Sequence, residues 1–169
     1  MPVTLPIRTE RLLIRSFDAD ADCEAMLDVY GDPDVMRFIP GGALRDVEAV
    51  KKLLAEYANA QEARGFSSWA LVELASGALI GDVGFGIFEP TGEVALGYTL
   101  ARRYRGHGYA TEAAAACLAA GKAQLSAERI IAVVDQANES SLRVALRIGM
   151  LRVGTIDAHG RPHVLFAAG

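Results

Sequence analysis

The chain has 169 residues and no stretch rich in Pro, Gly or Ser that would divide it, so we expect residues 1–169 to form one domain. Its net charge of −4 argues against nucleic acid as a partner, because that binding depends on neutralising phosphates. The longest apolar run, residues 113–120, is far shorter than the roughly 18 residues of a membrane span, so no membrane partner is expected either.

The N-terminus and the cysteines add two expectations. Arg8, Glu10 and Arg11 interrupt any apolar segment near the start, so no secretory signal is visible and a cytoplasmic location is expected. Cys23 and Cys117 lie in segments of helical pattern, and we interpret them as buried apolar side chains rather than as disulfide or metal ligands.

The first part of the chain predicts one strand and then three helices. A short apolar strand is expected at residues 12–17, and the acidic residues 18–22 offer N-caps for a helix that ends at Gly31. Residues 32–38 predict a short helix, and a longer charged helix is expected from about residue 45 to 64, closed by a glycine.

The middle of the chain predicts an antiparallel meander. Strand-like runs at residues 68–74, 79–88 and 93–101 are separated by turn-forming residues at 75–77 and 89–92. Further elements follow in the order helix, strand, helix, strand, strand, at residues 108–125, 129–135, 138–148, 151–156 and 164–167. Helices before and between groups of strands indicate an α/β (α+β) fold with a mixed sheet covered by helices.

A loop that joins a strand to a helix, residues 103–112, contains Gly106 and Gly108. Unpaired amides at a helix start converge there, and the glycines leave them uncovered, so the pattern predicts an anion site that fits a pyrophosphate. The alternative is an ordinary helix start with two exposed arginines. A dinucleotide fingerprint would need a third glycine at Thr111, and no Gly-Lys-Ser/Thr triplet exists for a nucleoside triphosphate loop.

A second set of glycines has the same spacing in another context. Gly81, Gly84 and Gly86 lie inside an apolar strand with no helix after it. We interpret these glycines as sites of close backbone approach or of a bulge.

The motif Arg103-x-x-Gly106-x-Gly108 after an antiparallel strand resembles the coenzyme A loop of the GNAT N-acetyltransferases. Other segments are similar to the RimJ/RimL type of that superfamily, and together they cover essentially the whole chain. These segments are residues 9–15, 35–40, 96–98, 108–113, 138–142 and 149–150.

The resemblance implies a mostly antiparallel sheet that is splayed open between its fourth and fifth strands, with acetyl-CoA as the cofactor lying in the gap. It further implies that backbone and side chains around the gap hold the pantetheine arm, the acetyl carbonyl and the phosphates. The residues implied to bind the cofactor are Thr99, Leu100, Arg103, Arg105, Gly106, His107, Gly108, Tyr109, Ala110, Thr111, Asn138 and Ser141. Arg143 and Arg147 are alternatives for the phosphates, but we interpret them rather as solvated helix charges.

Direct attack of a neutral amine on the thioester, in a ternary complex that releases coenzyme A, needs a positioned electrophile and a route for one proton. The candidates for a general base are Glu73, Asp82, Glu93 and His107, and Glu93 is preferred because its strand carries the active-site segment. The alternative for Glu93 is a solvated carboxylate at the start of its strand. Relatives often have an acidic residue where this chain has Ala95.

The leaving thiolate can take its proton from a side chain, or it can leave without one, because a thiol has a pKa of about 8.5. Many superfamily members use a tyrosine near the position of Ala145, but that helix contains no tyrosine. Ser141, Tyr98 or water remain as candidates, and Ser141 is preferred, with local backbone hydrogen bonding as its alternative role.

Three further expectations concern the periphery. Phe38 and Trp69 are candidates for the acceptor pocket, with plain core packing as the alternative. His159 and His163 have four-residue spacing, but the glycine and proline between them favour a turn between the last strands, and we expect no metal site.

The leading functional hypothesis is acetylation of a primary amine, either a protein or peptide N-terminal α-amine or an amino-acid-like amine. One alternative is a small-molecule amine acceptor, such as a polyamine or an antibiotic. Two others are a non-catalytic acyl-CoA-binding module and a pyridine-dinucleotide enzyme. The chain is expected to be a monomer or a homodimer.

Overall fold

The computed structural model describes residues 1–169. Its strands are Ile7–Arg8 (β1), Leu12–Arg15 (β2), Ser68–Glu73 (β3), Leu79–Phe88 (β4), Glu93–Leu100 (β5), Ile130–Asp135 (β6), Leu151–Ala158 (β7) and Arg161–Ala168 (β8). Its α-helices are Ala19–Tyr30 (α1), Val47–Arg64 (α2), Tyr109–Gln124 (α3) and Glu139–Arg147 (α4). A single 3-10 turn spans Arg102–Tyr104.

The predicted elements are confirmed to within a few residues, with three differences. The helix expected at residues 32–38 is wrong, because that segment forms only turns. The sequence pattern also missed the two-residue strand β1 and the 3-10 turn, since both are too short to show a period.

The eight strands form one sheet in the order β1-β2-β3-β4-β5-β6-β8-β7. All neighbours pair antiparallel except β5 and β6, which are parallel. The mixed, mostly antiparallel sheet is therefore confirmed. A dinucleotide-binding domain needs repeated parallel strand-helix units, so this topology argues against a pyridine-dinucleotide enzyme.

Helices cover both faces of the sheet. On one face α1 and α2 bury residues such as Met26 and Leu54, and on the other α3 and α4 bury alanines and Cys117 against the strands. Cys23 and Cys117 are both buried and free, as expected. None of the helices combines the length and the apolar character needed to cross a membrane.

Local residues explain where the helices begin and end. The side chain of Asp18 accepts hydrogen bonds from the amides of Asp20 and Ala21, which caps the start of α1. Gly65 ends α2 in the left-handed region at φ 81°, a conformation that disfavours residues with a Cβ atom.

The glycines of β4 allow two backbones to approach closely, as predicted. A Cβ atom on Gly81 would lie 2.0 Å from the carbonyl oxygen of Thr99, and one on Gly84 would lie 2.1 Å from that of Ser67. Gly86 has open space instead. The close approach at Gly81 places the backbone of β4 next to the end of β5, where the site lies.

The last two strands form a hairpin, as expected from the residues between them. Residues 159–160 make the turn, and the rings of His159 and His163 are 6.2 Å apart.

Candidate active site

A cleft opens where β5 and β6 diverge. The two strands pair only at Val94–Ile130 and Ala95–Ile131, so β5 has no strand partner on this side from residue 96 onward. The cleft has a volume of about 430 Å³, and Tyr98, Thr99 and Leu100 line it. β5 and β6 are the fourth and fifth of the strands expected from the sequence, because β1 was not predicted. The expected gap between these two strands is therefore present.

The loop after β5 bounds one end of this cleft. The 3-10 turn leads into Gly106 and Gly108, which both have φ +80°, and α3 starts at the next residue. The backbone amides of residues 106–111 donate no hydrogen bond within the protein. Six adjacent unpaired N–H groups at a helix N-terminus favour an anion by hydrogen bonding and by the helix dipole.

Contacts from the segment between β1 and β2 hold this loop in place. The carboxylate of Glu112, in the first turn of α3, accepts hydrogen bonds from the Thr9 hydroxyl at 2.7 Å and from the Arg11 amide at 2.9 Å. The Arg11 guanidinium pairs with the same carboxylate at 2.7 Å and donates to the carbonyl oxygen of His107 at 2.8 Å. Partial burial raises the pKa of Glu112, but these donors outweigh it and lower the pKa.

A second contact comes from the turns after α1. Arg102 pairs with Asp32 at 2.6 Å, and Arg105 pairs with Asp34 at 2.8 Å. The segment that was expected to be helical is thus joined to the start of the loop by two ion pairs.

The cleft is cationic, although the chain is acidic overall. Four arginines and one aspartate are the charged residues that line it: Arg37, Arg105, Arg143, Arg147 and Asp34. The sequence pattern favours Arg143 and Arg147 as solvated helix charges, yet both line the cleft. Their four-residue spacing on α4, which places both on one helix face, was the available signal.

The opposite wall of the cleft is the start of α4. The side-chain oxygen of Asn138 caps this helix by accepting from the Ser141 amide at 3.3 Å. The Tyr98 hydroxyl donates to the carbonyl oxygen of Ser141 at 3.0 Å, and its pKa is raised, chiefly by burial. The Ser141 hydroxyl makes no hydrogen bond within the protein, and Ser141 lines the cleft.

Glu93, the preferred base, is not in the cleft. It begins β5, whereas the cleft lies at the end of that strand, and Tyr98 lies five positions further along, or about 17 Å away. Its carboxylate pairs with Arg129 at 2.6 Å, and this contact lowers its pKa. Adjacency in sequence to the active-site segment does not bring Glu93 to the cleft, because a strand is extended and its two ends lie far apart.

The other candidates for a base lie in different places. The Glu73 carboxylate accepts from the Tyr109 hydroxyl at 2.5 Å and from Ser76, and these contacts lower its pKa. His107 is exposed, with its ring stacked on Tyr109. Asp82 is buried on β4 directly opposite Thr99.

The remaining predicted residues divide between the cleft and other locations. Gly106, Gly108, Tyr109, Ala110, Thr111 and Phe38 line the cleft, together with Asn138. Arg103 and His107 belong to the loop without lining the cleft, and Arg103 lies over the ring of Tyr104. Trp69 is a core residue: it is 1% exposed and packs edge-to-face on Phe85 at 5.8 Å.

Comparison with known proteins gives a consistent picture. Residues 11–151 match the sequence model of the family described as "Acetyltransferase (GNAT) domain". The N-acetyltransferase YnaD of Bacillus subtilis, which is described as uncharacterized, is 31% identical over 148 residues, or 88% of this chain and 84% of the relative.

Solved structures share the fold. An acetyltransferase of the GNAT family from Bacillus anthracis has a TM-score of 0.83 and 29% identity, and the match covers 97% of this chain and 98% of that one. RimL, described as a ribosomal L7/L12 alpha-N-protein acetyltransferase in complex with coenzyme A, has a TM-score of 0.82 at 15% identity, with 97% of each chain covered.

Proposed function

Since the chain belongs to the GNAT acetyltransferase family and is therefore an acetyl-CoA-dependent N-acetyltransferase, we propose that its acceptor is the α-amine of a protein or peptide N-terminus. The observation that supports the cofactor site is the row of unpaired amides at residues 106–111, which meets a cationic cleft at the splayed strands.

The residues present fit coenzyme A. The unpaired amides would hold the pyrophosphate, and Arg105, Arg143 and Arg147 would neutralise phosphate charge, for which guanidinium groups are well suited. The free backbone edge of residues 96–100 offers donors and acceptors for the amide groups of the pantetheine arm. Acetyl-CoA would supply an activated acetyl group on a thiol of low pKa.

The protein's own part in the reaction is positioning and proton handling. Amides near the end of β5 would orient the carbonyl and stabilise its developing negative charge. The free Ser141 hydroxyl, on the opposite wall, would donate to the departing sulfur. The Tyr98 hydroxyl holds that wall by its bond to the Ser141 carbonyl oxygen.

Two considerations support an N-terminal α-amine as the acceptor. An α-amine has a pKa of about 7.7 to 8.0 against about 10.4 for lysine, so a much larger fraction is neutral at physiological pH. Phe38 and the 40% exposed Ile39 line the cleft and offer an apolar wall to a peptide side chain. RimL, which shares the fold, is described as acting on a protein α-amine.

Calorimetry with acetyl-CoA on a matched pair of variants tests the cofactor site. Gly106→Glu adds a carboxylate among the unpaired amides and should abolish binding. Gly92→Glu is the control, because Gly92 also has positive φ and open space around its Cβ position but lies at the β4–β5 hairpin. Equal binding by both variants, or loss in both, would contradict the proposed cofactor site.

An acceptor screen tests the rest. A panel of short peptides with free N-termini should be acetylated, while the same peptides with blocked N-termini and an internal lysine should not. Turnover of spermidine or an aminoglycoside in preference to every peptide would overturn the proposed acceptor.

A further inference from the structure

A buried carboxylate lies directly behind the cleft. Asp82 of β4 is 4% exposed and is the register partner of Thr99 on β5. Residues directly opposite each other in an antiparallel pair place their side chains on the same face, so the Thr99 side chain lies beside the Asp82 carboxylate. Thr99 also lines the cleft. One hydroxyl therefore separates the cleft from this carboxylate.

No cation neutralises Asp82. The Tyr30 hydroxyl of α1 donates a hydrogen bond to the carboxylate, and Tyr57 of α2 is the other titratable group that faces it. The facing residues on the neighbouring strands, Ala70 and Thr99, carry no charge. Burial raises the pKa of Asp82 to about 6, while the bonds from Tyr30 and Thr99 act in the opposite direction.

Such a group costs stability when it is ionised, because desolvating an unpaired carboxylate is unfavourable. Perturbed titratable groups next to a cleft often serve its chemistry. Four residues were candidates for the general base. Among them, Asp82 alone is linked to the cleft through a polar side chain of β5, the strand that carries the site.

We propose, building on the proposed function, that Asp82 is the positioning residue for proton removal: it orients the Thr99 hydroxyl and takes up the proton that this hydroxyl relays from the attacking amine. As the amine nitrogen bonds to the acetyl carbon, the carbon–sulfur bond breaks and its electron pair leaves on sulfur. The nitrogen passes one proton to the Thr99 oxygen, whose own proton moves to Asp82. The thiolate takes a proton directly from solvent, or from Ser141, which regains its proton from solvent, and Asp82 later releases its proton to water.

The test is the dependence of kcat on pH for four variants with one peptide acceptor. Asp82→Asn should lower kcat by about 100-fold at pH 7.5 and should remove the acid limb near pH 6, and Thr99→Val should lower kcat similarly. Thr99→Ser keeps the hydroxyl and should restore kcat to within about threefold. Coenzyme A binding by calorimetry should be unchanged in Asp82→Asn, because Asp82 does not line the cleft.

Tyr30→Phe gives an independent test, because the pH dependence of kcat would not shift if Asp82 had only a structural role. It removes a hydrogen bond that stabilises the ionised form, so the pKa of Asp82 should rise and the acid limb of kcat should shift to higher pH. An acid limb that stays in place in Tyr30→Phe, or Thr99→Val with native kcat, would overturn the relay. Native protein that transfers no acetyl group to any peptide would instead refute the proposed acceptor, which the calorimetry and acceptor screen detect separately.

Discussion

The Tyr98 hydroxyl donates a hydrogen bond to the main-chain carbonyl oxygen of Ser141 at 3.0 Å, and this bond joins the two walls of the cleft. Tyr98 belongs to β5 and Ser141 to the first turn of α4, so the bond spans the gap that the diverging strands leave open. Both residues are candidates for the proton donor to the leaving thiolate. Their contacts differ, because the Tyr98 proton is already engaged and the Ser141 hydroxyl is free.

Replacing Ser141 by alanine should therefore reduce kcat more than replacing Tyr98 by phenylalanine. We expect Ser141→Ala to lower kcat by at least about tenfold with little change in the KM for acetyl-CoA, since a proton donor acts mainly in the transition state. Steady-state kinetics measures both parameters. Ser140→Ala is the control, since that hydroxyl instead bonds the Asn138 side chain. A larger loss of kcat in Tyr98→Phe would assign the proton donor to the tyrosine.

Asp34 should compete with the cofactor for Arg105. The two side chains pair at 2.8 Å on the rim of the cleft. To bind a phosphate, the Arg105 guanidinium must either release Asp34 or bind both anions at once. Asp34→Asn removes both this competitor and a negative charge near the phosphates. Exposed pairs are weak, so we expect the Kd for coenzyme A to fall by about two- to fivefold in calorimetry at low salt.

The matched control for that prediction is Asp32→Asn, which breaks the neighbouring pair with Arg102 and leaves Arg105 paired. Its Kd should match the native value. An equal decrease of Kd in both variants would indicate a general charge effect instead of competition for Arg105.

Phe38 and Trp69 should separate into an acceptor contact and a core residue. Phe38 lines the cleft, so Phe38→Ala should raise the KM for a peptide acceptor and should leave the KM for acetyl-CoA near its native value. Trp69 is buried and its Nε1 donates to Gln61, so Trp69→Ala should lower the free energy of unfolding by about 3 to 5 kcal/mol. Chemical denaturation and kinetics on both variants check this, and a Trp69 variant of native stability with a raised acceptor KM would contradict it.

Asp22 should stabilise the fold in a pH-dependent way. Its carboxylate forms two bonds with the Arg15 guanidinium, at 2.8 and 2.9 Å, and accepts a third from the Asp18 amide. Burial acts to raise the pKa of Asp22, but these donors outweigh it, so the pKa is lowered from 3.8. A lowered pKa means that the stabilisation is complete above the pKa of the unfolded chain and is lost as pH falls through the folded value.

Asp22→Asn should thus lower the free energy of unfolding at pH 7 by about 1 to 3 kcal/mol, and the difference from native should shrink below about pH 3. Denaturation at several pH values measures this. Asp20→Asn, on the same helical turn but 81% exposed, should have little effect at any pH. A difference for Asp22→Asn that is the same at pH 7 and pH 2.5 would show that its charge is not the cause.

Local features of the sequence determined much of this protein. The caps at Asp18 and Gly65, the meander turns and the glycine pair at Gly106 and Gly108 act over a few residues, so they could be recognised without knowing what packs against them. The order of the elements then indicated a mixed sheet, and the loop at residues 103–112 indicated an anion site.

Only the tertiary structure decided which polar groups meet. Glu112 bonds to Thr9 and Arg11, about a hundred positions earlier in the chain, and Arg105 bonds to Asp34. The fold also separates Glu93 from the cleft. It places the buried Asp82 behind Thr99. Such contacts depend on strand register and on helix packing, which bring together residues distant in sequence, and a local pattern carries no record of them.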